Sequence, residues 1–234
     1  FDHAVALDPL VVERVEVLRG PASLLYGGNA TGGVVNTLDN RIPRAALVGL
    51  GGRAELRGGG AANERSASGL VEAGAGGLNW HADAFRRATD DLQVPRFVPV
   101  EDGVAGPPTR RVRNSAARAE GGALGASWAD AKGYLGAAVD TYRNDYSVTV
   151  EPDVQICMRR ERLAVAGERN LGERGFTDLS LRASDTNYQH QEVEGDGAVG
   201  TTFSSRGQDV RLEARHAPLF GLGRGVIGLQ AESI

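Results

Sequence analysis

The sequence predicts an all-β chain that forms about nine strands of a larger, and here partial, transmembrane antiparallel β-barrel, preceded by a smaller unit. Three observations lead to this prediction. From residue 45 to residue 234, segments of about ten residues alternate between apolar and polar side chains, as strands between lipid and a polar lumen do. Short and long connections alternate between these segments. Glycine is abundant, with 33 of the 234 residues.

A soluble β-sandwich is the alternative, because its strands alternate in the same way. The length of the segments, the unequal connections and the many small residues favour the barrel. A strand that faces lipid can carry alanine and glycine, since it does not have to exclude water from a core.

The nine strand-like segments are expected to form a meander of consecutive antiparallel strands, with the long loops on the side opposite residues 1–44. In the third segment, for example, Leu78 and Trp80 share one face while Asn79 and His81 share the other. The segments lie near residues 47–59, 65–76, 78–89, 114–128, 133–146, 159–169, 174–190, 200–216 and 224–234. The longer connections are residues 90–113, 147–158 and 190–199.

The segment 114–128 follows the alternation poorly. Arg118 and Glu120 would share a face with Leu124 and Trp128. A β-bulge or a misplaced strand boundary would explain this pattern.

The first 44 residues have the pattern of a small unit built from two strands. Val12–Leu18 alternates apolar and charged residues, and Val34–Leu38 is a second short apolar run. Between them, Arg19–Gly33 contains glycine turn signals and room for one helical turn. We expect the two strands to pair and Pro43 to end the unit, which gives two domains at residues 1–44 and 45–234.

Composition excludes several classes of function. The formal net charge of −4 gives no reason to expect nucleic-acid binding. A single cysteine, Cys157, allows neither an intrachain disulfide nor a cysteine-based zinc cluster. No nucleophile elbow or Ser/His/Asp constellation is visible, so we do not expect an enzyme. The glycines of residues 27–33 lack the lysine of a phosphate-binding loop.

The two ends of the sequence suggest a piece of a longer protein. It begins at Phe1 without an initiator methionine, and it stops at Ile234 within a strand-like run.

Residues 12–36 read VERVEVLRGPASLLYGGNATGGVVN and closely resemble the plug domain of TonB-dependent receptors. The resemblance implies a plug, facing the periplasm, inside a barrel of about 22 strands in the outer membrane of a Gram-negative bacterium. It also implies outer-membrane lipid around the barrel, transport energised by the inner-membrane TonB complex, and no prosthetic group. Four plug charges, Glu13, Arg14, Glu16 and Arg19, would then pair with luminal Arg53, Glu55 or Arg57, or they form only a solvated face.

A narrower resemblance points to the branch of the family that takes up zinc. It rests on residues 2–10 (DHAVALDPL), 39–43 (DNRIP), 188–195 (YQHQEVEG) and 199–203 (VGTTF). The sequence departs from that branch at Cys157 and at residues 162–165. The resemblance makes zinc the expected transported substrate.

Five residues are the candidate zinc ligands. In the zinc branch an Asp-His pair at the plug position of Asp2 and His3 contributes to metal binding, and both side chains are of the type that binds zinc. His190, Glu192 and Glu194 follow at every second position, so on a strand they would point the same way. The alternative for these three is an ordinary polar luminal face. His81 and His216 look like isolated strand histidines without a role.

Two other functions remain open at this point. A receptor for a ferric siderophore or another metal chelate would have a larger site rich in aromatic and arginine side chains, whereas only 6% of this chain is aromatic. An adhesin or signalling barrel would have no transport cycle.

Overall fold

The computed structural model describes residues 9–20, 31–101, 103–151, 153–218 and 221–233. A short 3-10 turn, Pro9–Val11, leads into β1 (Val12–Arg19), which pairs antiparallel with β2 (Gly33–Asp39). The predicted pair of plug strands is therefore confirmed. The helical turn expected between them falls on residues 21–30, outside the described residues.

A nine-stranded antiparallel sheet contains most of the remaining chain. Its strands follow one another in a meander, as predicted. They are β3 (Gly49–Gly59), β4 (Glu64–Ala75), β5 (Leu78–Thr89), β10 (Ala117–Asp130), β11 (Gly133–Ser147), β12 (Gln155–Asn170), β13 (Phe176–Val193), β14 (Val199–His216) and β15 (Gly225–Ser233). The predicted domain boundary at residue 44 lies between β2 and β3 and stays a prediction. No helix of the described residues is long and apolar enough to cross a membrane.

Two small ribbons interrupt the meander between β5 and β10. β6 (Gln93–Phe97) pairs with β9 (Thr109–Arg111), and β7 (Val100–Glu101) pairs with β8 (Val104–Ala105). They lie within the connection of residues 90–116, at the sheet end opposite the two-residue turn of Gly76 and Gly77. The predicted loop at 190–199 is only residues 194–198, because β13 and β14 each extend to 18 residues.

The two faces of the sheet have the reverse polarity of a soluble protein. Asn79, His81 and Asp83 of β5 are buried, whereas Trp80 is 55% exposed on the other face, and Trp128 of β10 is 56% exposed. Large exposed hydrophobic surfaces and a polar inner face are typical of a barrel whose outside is covered by lipid. The alternation predicted for β5 is confirmed.

The poor alternation expected at residues 114–128 has a simpler cause than a bulge. β10 pairs with both of its neighbours in a continuous register, so Arg118 and Glu120 do face outward beside Leu124. They lie beyond the apolar band, where the strand has left the hydrocarbon layer. The predicted bulge is therefore wrong. The predicted start was also off, since β10 begins at Ala117, but this shift does not explain the poor alternation.

The edge of the apolar band shifts along the strands. Counting outward residues from the short-turn end, the first polar one on β5 is Arg86. It pairs with Glu120 of β10, which pairs in turn with Arg143 of β11. On β11 the first is Thr141, one outward position closer to the short turns, and on β13 it is Asp185, two positions closer. A level membrane surface crosses tilted strands in this stepwise way, as the strands of a barrel require.

Candidate functional site

The segment of residues 39–47, which leaves β2 and enters the large sheet, lies against the inner face of β5, β10 and β11. Two glycines of the wall make this possible. A Cβ atom on Gly125 would lie 1.7 Å from the carbonyl oxygen of Arg41, and one on Gly136 would lie 2.7 Å from Cγ2 of Ile42. Only glycine therefore lets the segment lie flat on the wall.

Arg41 joins this segment to two strands of the barrel. Its Nε donates to Oδ2 of Asp83 at 3.0 Å and its Nη2 to Oδ1 at 3.2 Å, while Nη1 lies 3.4 Å from Oδ1 of Asp140. The Asp83 side chain is fully buried, and that of Arg41 is 12% exposed. Burial lowers the pKa of Arg41, but the hydrogen bond and charge of Asp83 and the charges of Asp140 and Asp39 outweigh it, so the pKa is raised. The guanidinium is thus a permanent charge held between carboxylates.

His81 extends the network to β4 and is not an isolated histidine. Its Nδ1 lies 3.0 Å from Oε1 of Glu72, and its Nε2 lies 3.0 Å from Oδ2 of Asp83. Asn40, the residue before Arg41, donates to the same Glu72 oxygen at 2.6 Å. A ring between two carboxylates can donate to both only when both nitrogens carry a proton. The expectation that His81 has no role was therefore wrong: it orients both acceptors of the plug segment.

A second anchor holds the end of the segment. The fully buried Asn79 accepts a hydrogen bond from the backbone N–H of Leu47 at 2.7 Å and donates to Oγ of Ser127 at 3.2 Å. Ser127 donates to the carbonyl oxygen of Pro43 at 2.5 Å. A Cβ on Gly74 would stand 2.6 Å from Cβ of Leu47. The chain is thus fixed at both ends of its path along the wall.

The plug–barrel pairs expected from the charged strand β1 do not form. Arg14 pairs with Glu16 along β1 at 2.7 Å, and Arg57 pairs with Glu55 along β3. Residues two apart on a strand share one face and lie close together, so these charges neutralise locally. The contact runs through Arg41 instead. Arg41 is part of the DNRIP motif of residues 39–43, which is visible in the sequence. Its partners on the barrel could not be predicted, because they depend on strand register.

The predicted zinc ligands are distributed as follows. Asp2 and His3 lie outside the described residues. His190 and Glu192 share the inner face of β13, whereas Glu194 follows the end of the strand, after an irregularity between Glu192 and Val193. In the described ranges no group of three or more His, Cys, Asp or Glu side chains is arranged to hold a metal ion. The assignment of the five ligands stays a prediction.

His190 belongs to an aromatic wall on the inner face, near the long connections. Its Nδ1 lies 3.0 Å from the hydroxyl of Tyr188, and its ring stacks on Phe203 with centroids 4.5 Å apart. Met158 lies directly across the ladder from His190 and packs with Tyr142 and Phe85. Tyr188 packs against the same cluster. Of this wall, Phe203 is 48% exposed to the lumen, whereas Met158, Tyr142 and Phe85 are buried behind it.

The matches to known proteins fall on the plug segment and on the sheet. Residues 2–34 match the TonB-dependent Receptor Plug Domain. The chain is 62% identical over 33 residues to the hemin receptor of Yersinia pestis, which is 14% of this chain and 5% of that protein. It is 50% identical over 54 residues to the rhizobactin receptor of Rhizobium meliloti (strain 1021), which is 23% of this chain and 7% of that one.

Two solved structures share the fold over most of the chain. The copper transporter OprC covers 89% of this chain with a TM-score of 0.62 at 14% identity. A mutant of the ferric enterobactin receptor PfeA from Pseudomonas aeruginosa covers 95% with a TM-score of 0.65 at 17% identity. This chain corresponds to 31% and 35% of those two proteins.

A lipid-facing antiparallel sheet, with the segment that follows β2 docked on its polar inner face, has the architecture of an outer-membrane barrel with an internal plug. The plug sequence then gives the family for its own part of the chain: residues 2–34 carry the plug of the TonB-dependent receptors.

Proposed function

We propose that the complete receptor imports a metal chelate, of the ferric siderophore or haem class, with energy from the TonB complex. The observation that carries the proposal is the plug segment fixed to the luminal wall through Arg41. A plug held by a few polar contacts closes the pore, and a pull on the plug can break those contacts. The names of the relatives, a hemin receptor and a rhizobactin receptor, support the same class of substrate.

The aromatic wall favours a chelate over a bare ion. Ring faces such as those of Phe203 and Tyr188 bind large, partly apolar molecules, whereas a hydrated ion needs several polar ligands around one point. Haem and siderophore chelates enclose their metal, so the receptor binds the organic surface.

Zinc is the second candidate substrate. It is favoured by the Asp2-His3 motif of the plug and by the shared inner face of His190 and Glu192. In this version the plug would supply two ligands and the barrel would complete the shell of about four.

Growth under metal restriction distinguishes the two. A host without its own receptors would express the full-length protein and grow with haem or a ferric siderophore as the sole iron source, or at limiting zinc. We expect growth on the chelate, and no growth in the same host without TonB. Growth rescued only under zinc limitation, and lost in His3→Ala, would replace the chelate by zinc. Rescue that does not need TonB would contradict energised import, and no rescue on any substrate would favour an adhesin or signalling barrel.

A further inference from the structure

The outward faces of β5, β10, β11 and β12 carry an arginine patch, defined as Arg86, Arg118, Arg143 and Arg159. All four are exposed. They lie beyond the apolar band, at the sheet end that carries the long connections of residues 90–116 and 148–154. In an outer-membrane barrel this end faces the cell exterior. The patch therefore lies at the level of the outer-leaflet headgroups.

The register places like charges side by side. Arg143 and Arg159 are direct partners across the β11–β12 ladder, an arrangement that destabilises a sheet. Glu120 lies between Arg86 and Arg143 in the same row, but only Arg143 approaches it, at 3.7 Å. The other three arginines have no carboxylate within ion-pair distance in the described part of the chain.

Two more carboxylates share this surface without neutralising it. Asp145 lies across the ladder from Arg118 but hydrogen-bonds with Cys157 on the next strand. Glu161 lies one outward position closer to the apolar band than Arg159. Neither forms an ion pair with the patch among the described residues. The fold thus carries uncompensated positive charge at a fixed depth, which an external anion would neutralise.

Two or three outward positions below the patch, the same four strands present large apolar side chains. Trp80, Leu124, Val139 and Leu163 are each at least 50% exposed on the outward face. A ligand that satisfies both surfaces has an anionic head and acyl chains. The guanidinium fork matches phosphate oxygens in particular. We propose that the arginine patch binds the phosphates of a phosphorylated glycolipid of the outer leaflet, whose acyl chains lie against the band below.

Lipid binding to the full-length receptor in detergent tests the proposal. The probes are a bisphosphorylated hexa-acyl glycolipid and the same lipid without its phosphates, with dissociation constants measured by native mass spectrometry. The variant is Arg86→Gln/Arg143→Gln/Arg159→Gln. The matched control, Lys132→Gln/Arg174→Gln/Arg224→Gln, removes the same charge from exposed turns at the opposite end of the sheet.

We expect the patch variant to bind the phosphorylated lipid about 100-fold more weakly, which is about fivefold per lost arginine. The control should bind like wild type, and the lipid without phosphates should bind equally weakly to all three proteins. Equal affinity of the patch variant and wild type would overturn the proposal. So would complete displacement by millimolar inorganic phosphate, because the site would then bind a free anion and not a lipid.

Discussion

At the scale of single residues, the plug segment depends on one buried cation. Arg41 is the only side chain of residues 39–47 that the described contacts place within reach of carboxylates on two barrel strands, those of Asp83 and Asp140. Removing one member of a buried ion pair leaves the other charge uncompensated, which is far more costly than losing a pair on the surface.

Arg41→Gln should therefore weaken the docking of the plug by about 3 kcal/mol. The measurement is the urea concentration at which trypsin removes the plug from the full-length receptor while the barrel stays intact. Arg44→Gln is the matched control, because Arg44 is exposed and forms no ion pair in the described ranges. A double-mutant cycle with Asp83→Asn checks the interaction itself. If the two changes in docking free energy were additive, Arg41 and Asp83 would not hold the plug segment together.

The residues of this network could not be found from the sequence alone. His81, Glu72 and Asp83 lie on two strands, and Arg41 belongs to the plug segment. Their proximity depends on the register of β4 with β5 and on the glycines that admit the segment. The sequence does place Asn79 and His81 on one face of a strand, and Asp83 follows on that same face.

At the scale of elements, alternation was enough to locate all nine large strands, because lipid and lumen impose opposite requirements on neighbouring residues. Strand ends were harder to predict. Beyond the apolar band both faces of a strand meet water, so the pattern stops while the hydrogen-bonded ladder continues. β13 accordingly runs to Val193 and β12 begins at Gln155.

The connection of residues 90–116 is held together by hydrogen bonds to the carboxylate of Asp91. Oδ1 of Asp91 accepts hydrogen bonds from the backbone N–H groups of Ser115 at 2.9 Å and Ala116 at 3.0 Å, and Oδ2 accepts one from Nε of Arg111 at 2.7 Å. Burial raises the pKa of Asp91, but the hydrogen bonds from Ser115 and Arg111 outweigh it, so the pKa lies below its ordinary value of 3.8.

A depressed carboxyl pKa stabilises the folded connection above the ordinary value, and this contribution is lost as the pH falls through the lowered one. We expect hydrogen exchange at residues 111–116, corrected for intrinsic rates, to be slow at pH 5 and to accelerate below about pH 3.8. Asp91→Asn should exchange fast at both values. A wild-type rate that stays constant down to pH 2 would contradict the role of Asp91.

At the scale of the whole molecule, the large sheet has two open edges, β3 and β15. As the first and ninth strands of an antiparallel meander, they run in the same direction. Joining them would need a parallel pair, and an edge left open in lipid has unpaired backbone groups that each cost several kcal/mol. We therefore expect that residues 1–234 by themselves do not form a stable membrane barrel.

Expressed alone and refolded in detergent, this chain should lack the heat-modifiable gel mobility of a closed barrel. The full-length receptor, treated identically, should show it. A heat-modifiable band from residues 1–234 would mean that the nine strands close on themselves, against the register described for the sheet.

The anchor at Asn79 also limits how far the plug can travel. While Leu47 stays bound there, only residues 40–46 can straighten if the contacts of Arg41 break. Seven residues span at most roughly 25 Å when fully extended. A displaced plug would thus remain tethered to the wall by residues 40–46. This tether is shorter than the hydrocarbon layer of the bilayer, which is about 30 Å thick. The displaced plug would then rebind to the wall in an intramolecular step, within a small volume, and not by diffusion from solution.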